Sequence, residues 1–403
     1  MDAILANARL ADGSRTDILI RDGTIAGLGA LAAHAPATVD LGGRLVLPAL
    51  IDAHVHLDKT LLGFVWQPHR AENTTRGRIA AEKDLRRMLS WPVETCGGEL
   101  LRLALSHGTT AVRSHVDIDE VTGLRNVETL IRLRETWSPF IDIQLVAFPQ
   151  SGLSHNRGTI ELLDEAMRMG CDLVGGLDPL GIDDDLDGHL DTIFELAQRH
   201  GKGLDIHLHD LGEPGLSEIL AIAERTRTGG LGGRVTVSHA FALGSVTPDR
   251  AAFAADRLAA AGVTILTSAP GAAPMPPIAR LRAAGVRVVA GSDNIRDAWS
   301  PFGNANMLER CWLVAYRGGF RTDADIETTF DLATSNAASL LGLARGLAEG
   351  SRADLIAVPT DTLARTIIER PRPDLVLRQG RAVHCDADIE LGQLPRLTLP
   401  YLR

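Results

Sequence analysis

Cysteine is scarce in this chain. Cys96, Cys171, Cys311 and Cys385 are the four present in 403 residues, and no two of them form a CxxC or another close pair. That argues against a disulfide framework and makes a reducing cytoplasm the expected setting. No uninterrupted apolar run reaches membrane-spanning length, so no membrane partner is expected. The opening residues, Met-Asp-Ala-Ile-Leu-Ala-Asn, lack the basic start and long apolar region of a secretory leader. A Lys/Arg-rich run is also missing, and the formal net charge is −10. That balance argues against a nucleic-acid surface. There is no internal repeat and no low-complexity segment. The pair Gly27-x-Gly29 lacks the third glycine and the following helix of a nucleotide loop, so it carries no cofactor reading.

What is present is an alternation. From about residue 49, apolar runs at 50–56, 109–115, 141–148, 171–177, 203–209, 234–239, 263–268 and 286–293 are separated by helix-like stretches such as 159–169, 190–199, 216–226, 252–261 and 277–284. Glycines 170, 201, 262 and 285 stand where those helices end. Eight strand–helix units predict a (β/α)8 TIM barrel over 49–344, with the active site at the C-terminal strand ends. Residues 1–48 read as short strands, with Asp22-Gly23 as a hairpin turn. The strand pattern returns after about 345, with a second hairpin signal at Gln379-Gly380. Both chain ends, 1–48 and 345–403, are therefore expected to build one small β-sandwich. Residues 70–87 are charge-rich and read as a solvated helix face, and the tail from about 386 has no readable role.

The chemistry-bearing residues collect at the expected strand ends. The first strand ends in His54 and His56, which share one face because strand side chains alternate. The fifth ends in His207, His209 and Asp210, the sixth in His239, and the eighth in Asp293. Five of the 13 histidines thus fall at three strand ends, joined by an aspartate. Imidazole and carboxylate donors suit a divalent metal such as Zn²⁺ or Fe²⁺. Such an ion lowers the pKa of a bound water towards ~7 and makes it a hydroxide nucleophile. The equipment is that of a C–N bond hydrolase acting at an electrophilic sp² carbon.

The ordered motifs AHVHLDKT (53–60), RSHVDIDE (113–120), DIQLVAFPQSG (142–152), DIHLHD (205–210), RVTVSHA (234–240) and DNIRDAWSPFGNANML (293–308) resemble the amidohydrolase superfamily, in particular its cytosine deaminase branch and the s-triazine-degrading aminohydrolases within it. The resemblance covers essentially the whole chain. It implies His54, His56, His207 and Asp293 as ligands of a single metal, and His239 as the histidine facing the attacking water or the substrate. Members with two metals carry a lysine on strand four, and this chain has none there. The resemblance also implies ring contacts from Gln150, Lys59, Asp178, Asn294 and Trp299.

The chain departs from cytosine deaminase at two places. Asp210 stands where that enzyme has a proton-shuttling glutamate, and Asn294 where it has an aspartate. Both departures point towards triazines. His239, Asp293, Asp210 and His209 are the candidates for proton transfer, with Glu213 a further one in a loop before the next helix. His115, Asp117 and Ser292 read as supports, and Arg296 with Asp297 as a pair that holds the strand-eight loop. The implied reaction is hydrolysis of an exocyclic amino or N-alkylamino group on a nitrogen heterocycle, ammelide-like or cytosine-like. A cyclic amidase and a non-catalytic binding barrel are the alternatives. Oligomeric state, a homo-oligomer included, is left open by the sequence.

Overall fold

A computed structural model describes residues 2–30, 37–69, 74–154, 156, 158–386 and 388–400. The start of the charge-rich stretch, 70–73, and the last three residues of the tail lie outside these.

The chain begins with β1 (Asp2–Arg9), β2 (Arg15–Arg21), β3 (Thr24–Gly29), β4 (Ala37–Asp40) and β5 (Leu45–Pro48). The barrel strands follow: β6 (Leu50–Val55), β7 (Thr109–Asp117), β8 (Asp142–Phe148), β9 (Leu173–Leu177), β10 (Gly203–Leu208), β11 (Val235–His239), β12 (Thr264–Thr267) and β13 (Val288–Ala290). They pair in sequence order as one parallel sheet. Helices such as Arg125–Trp137, Thr159–Met169, Leu186–His200, Gly212–Thr228 and Pro248–Ala261 cover its outside. The strands are Val/Ile/Leu-rich runs buried on both faces, as parallel strands under helices must be.

The seam between the last and first strands is short. Asp293 N donates to His54 O at 2.8 Å, and Val55 and Asp293 form a parallel bridge. Ser292 N donates to the Asp52 carboxylate at 2.9 Å. Gly291 permits this approach: a Cβ there would lie 2.5 Å from the His54 Cβ, closer than real atoms come.

Both chain ends meet in a second eight-stranded sheet, which adds β14 (Leu355–Val358), β15 (Leu375–Arg378) and β16 (Arg381–Cys385) to the first five strands. The fold class is therefore the expected one. Strand alternation divides this sheet between two cores. Leu355 and Ala357 pack with Leu5, Ile18 and Leu377 in a core of their own, whereas Ile356 and Val358 join Leu45, Leu47 and Val376 against the barrel. The two hairpin signals are real. Arg21 pairs with Thr24 around Asp22 (φ 49°) and Gly23 (φ 78°), and Arg378 pairs with Arg381 around Gln379 (φ 49°) and Gly380 (φ 71°). Two consecutive positive φ values are the geometry of a type I′ turn. The tail docks back: Ile389, Leu391 and Leu394 fill the small core, and Leu397 N donates to Ala382 O.

Candidate metal centre and active site

Six histidines converge at the C-terminal end of the barrel. His54 lies at the end of β6, His56 just follows it, and His115 lies on β7. His207 lies on β10, His209 just follows it, and His239 ends β11. Donor atoms of His54, His56, His115 and His207 lie within 4.8 Å of one another, as do those of His54, His239 and Asp293. Asp293 Oδ1 is 3.5 Å from His54 Nε2 and 3.4 Å from His56 Nε2, and its Oδ2 is 3.9 Å from His239 Nδ1. Asp293 (φ 63°) and His239 (φ 70°) both sit in the left-handed region. Such strain is kept where surrounding structure enforces it, commonly at active sites.

Several ring nitrogens of this cluster lack partners. His54 Nε2, His56 Nδ1 and both ring nitrogens of His207 and His239 are buried without a hydrogen bond. Unmade hydrogen bonds in the interior are costly, so this many together is a signature of a missing ligand. Burial holds His56, His207 and His239 below the ordinary histidine range, helped by Lys59 at His56, by His115 and His54 at His207, and by His209 at His239. Neutral rings present lone pairs. Burial opposes the Asp293 charge, but the rings of His239, His54 and His56 around its oxygens outweigh it and hold the carboxyl well below its ordinary range. The donor set fits a divalent cation.

His54 is held by a buried chain. Ser238 Oγ donates its single proton to Asp205 Oδ1 at 2.7 Å. It must therefore accept from His54 Nδ1 at 3.0 Å, which leaves Nε2 as the lone-pair nitrogen facing the cluster. Asp205 is fully buried and also receives Arg113 Nη1 at 2.9 Å. Burial would raise Asp205, but His115 and Arg113 outweigh it and hold it below its usual value.

His209 is different. Its backbone N and its Nδ1 are both bonded to the Asp178 carboxylate, at 2.6 and 2.8 Å. Its ring stacks on His239, with centroids 4.6 Å apart. Burial disfavours its protonation, yet Asp178 outweighs burial and the net shift is upward. Asp178 spends both oxygens on His209, so it positions a histidine where a ring contact was expected.

Lys59 is buried in a set of opposite charges. Its Nζ donates to Gln150 Oε1 at 2.5 Å and pairs with Asp117 at 3.2 Å and Glu82 at 3.4 Å. It lies 5.1 Å from the centre of the Trp299 ring, whose Nε1 donates to Glu82 Oε2. Because an ammonium only donates, the Gln150 amide is oriented with Oε1 towards Lys59. Its Nε2 is buried and unpartnered. Beside this group, loops after β6 and β13 and the helix Thr75–Met88 enclose an open cavity of about 310 Å³, lined by Leu61, Leu62, Phe64, Leu85, Asp297 and Ala298.

Several expectations need correction. The stretch from 75 onwards is not simply a solvated face. Glu82 is 3% exposed, and Arg86 bonds Glu82 at 2.7 Å and Asp117 at 3.1 Å. Charges that pair across elements look solvated in a linear sequence. Asp297 does not pair with Arg296; it accepts from Asn294 Nδ2, Trp299 N and Ser300 N. Asn294 is thereby tied into its own loop. Asp210 stays outside the cluster and accepts from Gly181 N at 2.7 Å. Glu213 is exposed and paired with Arg250. His115 was read as a support, and the structure brings it into the imidazole cluster. The sequence held a signal for it: Arg113, His115 and Asp117 alternate on one face of an otherwise apolar strand.

A (β/α)8 barrel with a histidine–aspartate cluster at its strand ends defines the class of barrel hydrolases. The match to the Amidohydrolase family spans residues 74–384, and the chain belongs to that family. It is 32% identical over 354 residues to N-isopropylammelide isopropyl amidohydrolase of Pseudomonas sp. strain ADP, covering 86% of this chain and 87% of that protein. The crystal structure of N-isopropylammelide isopropylaminohydrolase from Burkholderia multivorans superposes with a TM-score of 0.93 at 38% identity, over 96% of this chain and 99% of that one. The structure of 5-methylcytosine deaminase from Klebsiella pneumoniae superposes at 0.84 with 26% identity, over 97% and 98%. The chain is an enzyme, a hydrolase acting on C–N bonds. No helix among the described residues is long and apolar enough to cross a membrane.

Proposed function

We propose that the enzyme hydrolyses the exocyclic amino or N-alkylamino C–N bond of a nitrogen heterocycle, an s-triazine of the ammelide type before a pyrimidine. One observation carries this: His54, His56, His207 and His239 bring buried, unpartnered ring nitrogens to the strand ends, in two donor groups that share His54, one of which includes Asp293. The names of the relatives supply the substrate class. His54, His56, His207 and Asp293 would hold one divalent cation, Zn²⁺ by preference. Bound there, it would supply Lewis-acid activation of water.

The chain's own residues do the rest. His239 faces Asp293 and stands where an attacking water would be oriented. His209, whose hold on a proton Asp178 strengthens, is the general acid, and its ring is placed to give a proton to the departing amine nitrogen. Asp293 remains anionic and receives the proton released by water. The Gln150 Nε2 protons, aimed by Lys59, read an acceptor on the ring, either an oxo oxygen or a ring nitrogen. Trp299, fixed by Glu82, supplies a flat wall. The four cysteines are all unpaired, in keeping with a reducing cytoplasm.

The test is a screen of Zn²⁺-loaded protein against N-isopropylammelide, cytosine and 5-methylcytosine, reading isopropylamine or ammonia. Release of either amine with formation of the oxo heterocycle is expected. No release from any of the three by fully metallated protein refutes the substrate class.

A further inference from the structure

A pair of carboxyls, Glu218 and Asp210, lies behind the Asp178–His209 pair and has no part in the steps above. Glu218 is on the helix Gly212–Thr228, on the stripe of Gly215, Glu218, Ile219 and Ile222 that faces the barrel. It is fully buried. Its Oε1 accepts from Leu180 N at 2.8 Å, and its Oε2 has no conventional donor. Asp210, next to His209, accepts from Gly181 N at 2.7 Å. The two carboxyls therefore grip consecutive amides of the loop that begins at Asp178. Holding adjacent amides brings the two carboxyls side by side, close enough to act on one another. Among the described residues neither forms an ion pair with a lysine or arginine. The largest charged influences on Glu218 are Asp210 and Asp178, both acidic.

Two carboxylates in contact repel, with His209 acting on Asp210 alone, and one shared proton turns repulsion into a hydrogen bond. We propose that Glu218 is a positioning residue held as the neutral acid, donating to Asp210 so that the pair clamps the loop 178–183 and fixes Asp178 against His209. The space is built for it. A Cβ at Gly181 would lie 2.3 Å from Asp210 Oδ1, so the loop seats directly on the carboxylate. Burial pushes Glu218 up to about 9, which agrees with the neutral form at pH 7. The clamp deepens the proposed function, because its effect on rate rests on His209 acting as the acid.

Infrared difference spectra of the Zn²⁺-loaded enzyme against E218Q test the clamp without any substrate. A protonated-carboxyl C=O band in the parent that is absent from E218Q is expected, and spectra without such a band overturn the proposal. Gln keeps both an acceptor for Leu180 N and a donor for Asp210, whereas Ala keeps neither. Amide exchange at Leu180 and Gly181 is therefore expected to stay slow in E218Q and to quicken in E218A; equal protection in both overturns the clamp. With N-isopropylammelide as probe, E218A is expected to lose about 10²-fold in kcat, with KM and the E218Q rate within about threefold of the parent. Equal losses in the two variants overturn the positioning role. Absence of turnover by the parent counts against the substrate class alone, and the infrared and exchange results still decide the clamp.

Discussion

Ser238→Ala removes one hydroxyl at the crossing point of two buried hydrogen bonds. In the parent, that hydroxyl gives its proton to Asp205 at 2.7 Å and takes one from His54 Nδ1 at 3.0 Å. The alanine leaves Asp205 with Arg113 Nη1 as its remaining strong donor, and leaves His54 Nδ1 facing a methyl group. One unsatisfied buried group costs about 1–3 kcal/mol, so the metal-free variant is expected to lose about 2–4 kcal/mol of stability. The larger consequence concerns the tautomer. Without an acceptor at Nδ1 the ring is free to carry its proton on Nε2, the nitrogen that faces the cluster. Removing such an outer partner typically weakens metal affinity about 10–100-fold. The assay is competition for Zn²⁺ against a chromophoric chelator at fixed pH, with thermal unfolding of the metal-free proteins measured separately. A variant that loses stability but binds Zn²⁺ as tightly as the parent refutes the reasoning, because Ser238 would then only fill space.

Three further outcomes are expected. His54→Ala and Asp293→Ala each lower the bound metal and abolish turnover; full activity of either variant free of metal sinks the site. Asp178→Asn lowers kcat by about 10²-fold or more with little change in KM, since Asp178 serves His209; a rise in KM alone would return Asp178 to the ring-binding role. Glu218 also gives a pH signature. It keeps in the fold a proton that the unfolded chain releases above its ordinary carboxyl range of 4.5, and it loses that proton only near 9. Parental stability therefore falls with rising pH across that window, by up to about 1.4 kcal/mol per unit. Denaturation midpoints of E218Q should gain on the parent from pH 5 to about 9, and a constant gap contradicts the linkage.

The barrel was legible because parallel strands under helices must be apolar throughout, and the strand ends were legible because the exceptions to that rule are polar. His54, His56, His207, His239 and Asp293 are such exceptions, and they meet in space. The ionic group around Lys59 was not legible. Glu82 and Arg86 sit one helical turn apart in a stretch full of charge, and nothing local separates them from solvated neighbours. Their partners Lys59 and Asp117 come from two other elements. Glu218 occupies an intermediate position. Its spacing with Gly215, Ile219 and Ile222 is that of a buried helix stripe, but no reading of the sequence singled it out, and its partner Asp210 was readable only as a substitute for a catalytic glutamate. The bond from Asp178 to His209 was hidden for a related reason: spacing along the chain cannot tell a side chain that touches substrate from one that holds the side chain that does.

The seam between β6 and β13 has a consequence for how the enzyme comes into being. Asp52 and Ser292 are 240 residues apart in sequence and are hydrogen-bonded there, and His54 O takes the amide proton of Asp293 itself. The last stitch of the barrel and the junction of its metal-facing groups are therefore the same place. A growing chain carries His54, His56 and His207 long before Asp293 exists, yet these groups have no common centre until the cylinder shuts. Catalytic competence should appear all at once, as a property of closure. A cation seated there would in turn act as a rivet across the one edge at which the cylinder could reopen.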